Sequence, residues 1–66
     1  MTRYERDRQA IANGSPEAEE ILRNRQAEID QLKREWKTTK YRLRAETAYK
    51  EARRMEREYE ELEKLI

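Results

Sequence analysis

The sequence predicts an all-α protein: a short N-terminal helix, an Asn-Gly/Ser-Pro corner, and two long antiparallel helices, a helical hairpin in a small three-helix arrangement. Three observations carry this reading. After Pro16 the chain holds no further Gly or Pro. Its apolar residues from Ala18 onward recur in alternating steps of three and four, the coiled-coil period. Charged residues make up 47% of the chain while the net charge is only +1, so both signs cover the surface. Mixed charge with heptad-spaced apolar residues is the signature of long helices and not of disorder.

Each element has its own local signals. Thr2-x-x-Glu5 has the spacing of a capping box, in which the Thr2 hydroxyl accepts from the Glu5 amide and the Glu5 carboxylate reaches back. A helix from Arg3 to about Ala12 follows, with Tyr4 and Ile11 seven apart and Arg8 between them on a weakly apolar face. Asn13-Gly14 supplies residues that tolerate the left-handed conformation found after a helix C-terminus. Ser15-Pro16-Glu17 then starts a new helix: Ser15 caps, Pro16 takes the first position, where its missing N–H is harmless, and Glu17 and Glu19 suit the positive end of the dipole. Ten residues are too few for a stable isolated helix, so the first must dock on the second through Tyr4 and Ile11. Residues 1–66 form one module, divided into a short capping helix and turn (1–14) and a long helical segment (15–66) with a break expected near 38–41.

In the long segment one seam runs Ala18, Leu22, Arg25, Ile29, Leu32, Trp36, Thr39, Leu43. A second runs Ala45, Ala48, Ala52, Met55, Tyr59, Leu62, Ile66. From Leu43 to Ala45 is a step of two, which rotates the stripe by roughly 200° on a straight helix. Two architectures accommodate this. In one the chain breaks near Thr38-Thr39-Lys40 and folds back. In the other a single continuous helix, roughly 76 Å long, forms an antiparallel coiled-coil dimer. Pairing outward from residue 40 sets Trp36 near Ala45, Leu32 near Ala48, Ile29 near Ala52, Arg25 near Met55, Leu22 near Tyr59 and Ala18 near Leu62. Large meets small in the half nearest the turn, as close packing requires. Thr-Thr-Lys-Tyr lacks the usual turn residues, but the size matching favours the hairpin.

Composition narrows the function classes. A chain this short buries only about 60% of its unfolded surface. Of its 23 hydrophobic residues seven are Ala, and Val, Phe and Cys are absent. Oligomerisation or a bound partner is the expected second source of stability. With no Cys and no His, thiolate chemistry and the commonest zinc ligand and general base are missing. No cofactor site, no metal site and no Gly-rich phosphate loop is legible. No window is apolar enough for a membrane span, so a cytoplasmic protein without membrane partners is expected.

Several residues are candidates for contact with a partner. Trp36 is expected to pack on Ala45 and, if exposed, becomes an interface anchor, since Trp, Tyr and Arg dominate such sites. Tyr41 and Tyr49 lie off both seams and together suggest a binding face. Arg25 holds a seam position. The plainer expectation is that its stem packs while its head reaches water; the sharper one is that it fixes register or meets an acidic residue of a partner. Lys33, Lys37, Lys40 and Arg44, with Tyr41, fall within about 100° on a continuous helix and could line a phosphate backbone. A solvated face, balanced by acidic ends, is the preferred reading of that stripe. Intrahelical pairs Glu19/Arg23, Asp30/Arg34, Glu46/Lys50 and Glu60/Lys64 account for other charges.

Leu22 and the run Glu28-Ile29-Asp30-Gln31-Leu32, ending in Glu35-Trp36, resemble the small helical-hairpin aspartyl phosphatases of spore-forming bacteria. These proteins act on a response regulator and carry Ser-Gln-Glu-Leu-Asp on the second helix. Glu28-Ile29-Asp30 matches Glu-Leu-Asp, and the resemblance makes Asp30 the functional residue. The preceding positions here are Gln26 and Ala27, the likeness spans fifteen residues of 66, and the seam accounts for Leu22, Ile29, Leu32 and Trp36 without it. The expected function is therefore non-enzymatic: a helical module binding another protein, or a second copy of itself, as a small regulator or inhibitor. Nucleic-acid binding through Lys33, Lys37, Lys40 and Arg44 is the alternative, and phosphatase activity comes third.

Overall fold

The computed structural model describes every residue from Met1 to Ile66. Helix α1 spans Arg3–Ala12, α2 Ala18–Thr38 and α3 Arg42–Glu63. Helices α2 and α3 form an antiparallel hairpin. α1 folds back along the open end of that hairpin and touches both long helices. The result is a rod of 42 × 19 × 17 Å.

Both ends of α1 follow from the local sequence. The Thr2 hydroxyl accepts from the Glu5 amide at 3.2 Å, so the forward half of the capping box forms. At the other end Gly14 adopts φ +74°. Its amide donates to the Ile11 carbonyl, and the Ser15 amide reaches back to the Ala10 carbonyl at 2.9 Å. These two bonds around a left-handed residue satisfy carbonyls that the helix end would leave open. Ser15 then begins the next turn. Its hydroxyl accepts from the Glu17 amide at 3.2 Å, and its carbonyl accepts from the Ala18 amide. Pro16 and Glu17 form a tight turn before α2 proper, which starts two residues later than a cap at Ser15 with Pro16 at the first helical position implies.

The chain breaks at Thr39–Tyr41, so the continuous-helix alternative does not hold. Threonine chemistry replaces the missing Gly and Pro. The Thr38 hydroxyl donates to the Arg34 carbonyl at 2.8 Å. Thr39 is extended (φ −71°, ψ 142°), and its hydroxyl accepts from the Tyr41 amide at 3.3 Å. β-Branched hydroxyl residues disfavour helix and offer the backbone a local partner in its place. The break also absorbs the step of two between the seams, because α3 restarts with Ala45 facing α2.

Six apolar side chains are buried: Ile11 from α1, Ile29 from α2, and Ala48, Ala52, Met55 and Leu62 from α3. Ala48 and Ala52 let the long helices approach closely around Ile29. Four expectations are corrected. Leu43 is 79% exposed, since the turn takes it off the first seam, and the terminal Ile66 is exposed too. On α1 the residue between Tyr4 and Ile11 that faces inward is Asp7, three after Tyr4 and four before Ile11, while Arg8 points outward. Trp36 is only partly covered, as described below. The four intrahelical pairs do not form: Glu46 meets Arg42, Lys64 meets Glu61, and Asp30 accepts from Gln26.

Gly14 has open space around the position a Cβ would take, so its requirement is purely conformational. Gly14→Ala is expected to lower stability by about 1–2 kcal/mol, and Gly14→Asn by less, because Asn tolerates the left-handed region. Urea unfolding followed by far-UV circular dichroism measures both.

Candidate functional site

Two places on the rod hold polar or aromatic groups with unusual surroundings. The first is Arg25, only 2% exposed. Its Nε donates to Asp7 Oδ2 at 2.8 Å, and its Nη1 lies 3.6 Å from Glu58 Oε1. Its Cζ stands 6.0 Å from the centroid of Tyr4. Thus α2 supplies the guanidinium, α1 a carboxylate and an aromatic face, and α3 a second carboxylate. The head group does not reach water, contrary to the plainer expectation. The acids it meets belong to its own chain, so Arg25 is not offered to a partner. Nearby, Glu28 Oε2 sits 2.8 Å from Arg3 Nη1, a second charge contact between α1 and α2. Glu28 thereby raises the pKa of Arg3 above its ordinary value, against the opposing effect of partial burial.

The second place lies toward the hairpin turn. Trp36 from α2 and Tyr49 from α3 pack with centroids 4.9 Å apart and planes tilted by 52°. Trp36 is 39% exposed and Tyr49 43%. With Arg42, Ala45, Glu46 and Lys50 they line an open groove of about 490 Å³. Trp36 therefore shares a surface with Ala45 as the pairing expects, but one turn further along α3 Tyr49 takes its ring. Counting 100° per residue puts Ala45, Glu46 and Tyr49 roughly 160° around α3 from Glu51, Met55 and Glu58, which border the cleft beside α1. The groove is thus on the face that α1 leaves uncovered. Tyr41, 71% exposed, and Leu43 stand at the turn itself.

The basic stripe does not survive as one surface. Lys33 pairs with Glu56 at 2.9 Å and Arg44 with Glu35 at 3.7 Å, each across the hairpin. Lys37 and Lys40 form no salt bridge but are separated by the break. Asp30, the residue that the phosphatase resemblance singles out, is exposed and accepts from the Gln26 amide nitrogen at 3.1 Å. No group of three metal-ligating side chains is assembled. No helix is long and apolar enough to cross a membrane.

Of the sequence-derived candidates, the fold brings Trp36 and Tyr49 together, leaves Tyr41 at the turn, and removes Arg25 to the interior. Arg42, Glu46 and Lys50 were not anticipated as groove residues, nor Asp7 and Glu58 as partners of Arg25. The signal for Asp7 lay in its 3–4 spacing between Tyr4 and Ile11. Comparison with family models, curated proteins and solved structures returns no match.

The Arg25 cluster is asymmetric, which sets an ordering of effects. The side chains of Asp7 and Glu58 are 17% and 25% exposed, against 2% for Arg25, so the acids retain access to water that the guanidinium lacks. Asp7→Ala leaves the buried cation with only the longer contact to Glu58 and is expected to cost about 2–3 kcal/mol. Arg25→Met leaves two carboxylates able to hydrate and is expected to cost less. Denaturant midpoints of the two variants test the order.

Proposed function

We propose that this chain is a non-enzymatic helical module that binds protein by helix-on-helix packing, as a small regulator or inhibitor. The observation that carries the reading is the half-exposed Trp36–Tyr49 pair over Ala45, on the hairpin face away from α1. A Trp and a Tyr paired outside the core give up burial that the thin core could use. Such residues concentrate binding energy at interfaces because they present large, stiff, partly apolar surfaces. The surrounding rim of Arg42, Glu46 and Lys50 is polar, as an interface rim is. The rod is too slender to enclose a substrate: seven of its 66 residues are buried, and every one serves the helix contacts. Protein is favoured over nucleic acid because Lys33 and Arg44 are already paired and the tilt of Trp36 against Tyr49 occupies ring surface that a stacked base would need.

The test is capture from native host extract on the tagged full chain, with and without nuclease and at two salt concentrations. A protein retained through nuclease and high salt, and reduced at least about tenfold in affinity by Trp36→Ala, as expected for a hot spot of about 2 kcal/mol, is the predicted outcome. Retention unchanged in a folded Trp36→Ala protein, or material lost entirely on nuclease treatment, overturns the reading.

A further inference from the structure

The face that α1 leaves uncovered carries a charge order of its own. On α3 its outward row is Arg42, Glu46, Tyr49, Arg53, Glu56, Glu60 and Glu63, spaced four and three. On α2 the matching row is Glu19, Arg23, Gln26, Asp30, Lys33 and Lys37. Gln26, Lys33, Glu56, Glu60 and Glu63 line one cleft there, which fixes the two rows as neighbours. Near the hairpin turn the α2 row is basic, with Lys33 and Lys37, and near the open end the α3 row is acidic, with Glu56, Glu60 and Glu63; Lys33 and Glu56 are paired with each other across the hairpin. The other two quarters of the face are balanced: Arg42 pairs with Glu46 at 3.6 Å at the turn end of α3, and Glu19 stands beside Arg23 at the open end of α2. The whole chain follows the same order. Lys33 to Lys50 holds seven basic and two acidic residues, and the remainder nine basic and thirteen acidic.

A surface basic at one end and acidic at the other is complementary to itself when turned end for end. A twofold axis through the middle of the face sets the turn of one copy against the open end of the other, and every attraction occurs twice. The rod is 42 Å long and 17–19 Å across, and a standard interface buries roughly 800 Å² on each side, so the contact runs the length of the hairpin. The geometry points to a second copy of this chain as the occupant of that face, giving an antiparallel four-helix core flanked by the two α1 helices. Trp36 and Tyr49 of each copy then lie toward the acidic half of the other. This inference rests on the reading of the face as a docking surface and names what docks. Self-association and capture of a target compete for the same face.

Two variants test it, built at positions that form no salt bridge within the chain. Lys37→Glu with Lys50→Glu reverses the basic end, and Glu60→Lys with Glu63→Lys reverses the acidic end. The unaltered chain, 8.2 kDa as a monomer, is expected to sediment at twice that mass at low salt and to dissociate as salt rises. Each double variant alone opposes like charges and is expected to associate more than about tenfold more weakly, with unchanged helical circular dichroism. An equimolar mixture of the two restores opposite charges at both ends and is expected to return to twice the monomer mass. Monomer mass for the unaltered chain at high concentration, variants that dimerise as well as it does, or a mixture that stays monomeric each overturns the inference. If the chain is monomeric while Trp36→Ala still abolishes capture of a target, only the second copy falls. If the dimer forms but capture ignores Trp36→Ala, the proposed function falls.

Discussion

One buried cation organises this molecule. Arg25 sits where three helices meet, and each contributes something it needs: the stem packs within α2, Asp7 comes from α1 and Glu58 from α3. Against an apolar replacement of similar volume, such a cluster adds little net stability, because desolvating the charges offsets their attraction. Its effect is on arrangement. A guanidinium held in a largely dry interior accepts few positions of its partners, so it selects the register of α2 on α3 and the place where α1 docks. The six apolar residues of the core are less selective, since two of them are Ala and the rest tolerate small shifts.

The dependence is sharpest for α1. Ten residues do not hold a helix in water, and α1 buries a single large apolar side chain, Ile11. Its remaining ties are polar: Asp7 to Arg25 and Arg3 to Glu28. Helix α1 is therefore anchored by Ile11 and placed by two charges, and it covers only the half of the hairpin where those charges stand. The other half, with Trp36, Tyr49 and the turn, remains a two-helix structure with an open face.

Much of this was legible in the residues. Helix caps are local chemistry, so the Thr2 cap and the Asn13-Gly14 stop could be read directly, and the phase slip between Leu43 and Ala45 required a break or an unusual partner. The place of the break, near 38–41, was legible, but the choice between a break and a continuous helix was not, because Thr39 makes the turn with a hydroxyl hydrogen bond and not with a Gly or Pro. The site was less legible. Arg25 shows as a polar residue on an apolar seam, but whether its counter-ions lie in the same chain depends on α1 folding back eighteen residues away. Likewise the ring beside Trp36 is set by how α3 is rotated in the hairpin, which the heptad alternation fixes only to within about one turn. The cross-hairpin bridges Glu56 to Lys33 and Glu35 to Arg44 depend on the same rotation, whereas the expected intrahelical pairs were replaced by other local ones, Glu46 with Arg42 and Lys64 with Glu61.

The end-to-end sorting of charge has a consequence for how the molecule meets its surroundings. At physiological ionic strength, fields decay over about 8 Å, and the rod is 42 Å long. Its two ends are therefore some five screening lengths apart and electrically independent. A net charge of +1 then describes neither end. An anionic surface senses a cation approaching at the turn, a cationic surface senses an anion at the open end, and each reorients the rod before contact. The sequence composition averages these into near-neutrality, while the fold holds the two charges at opposite ends of one shaft.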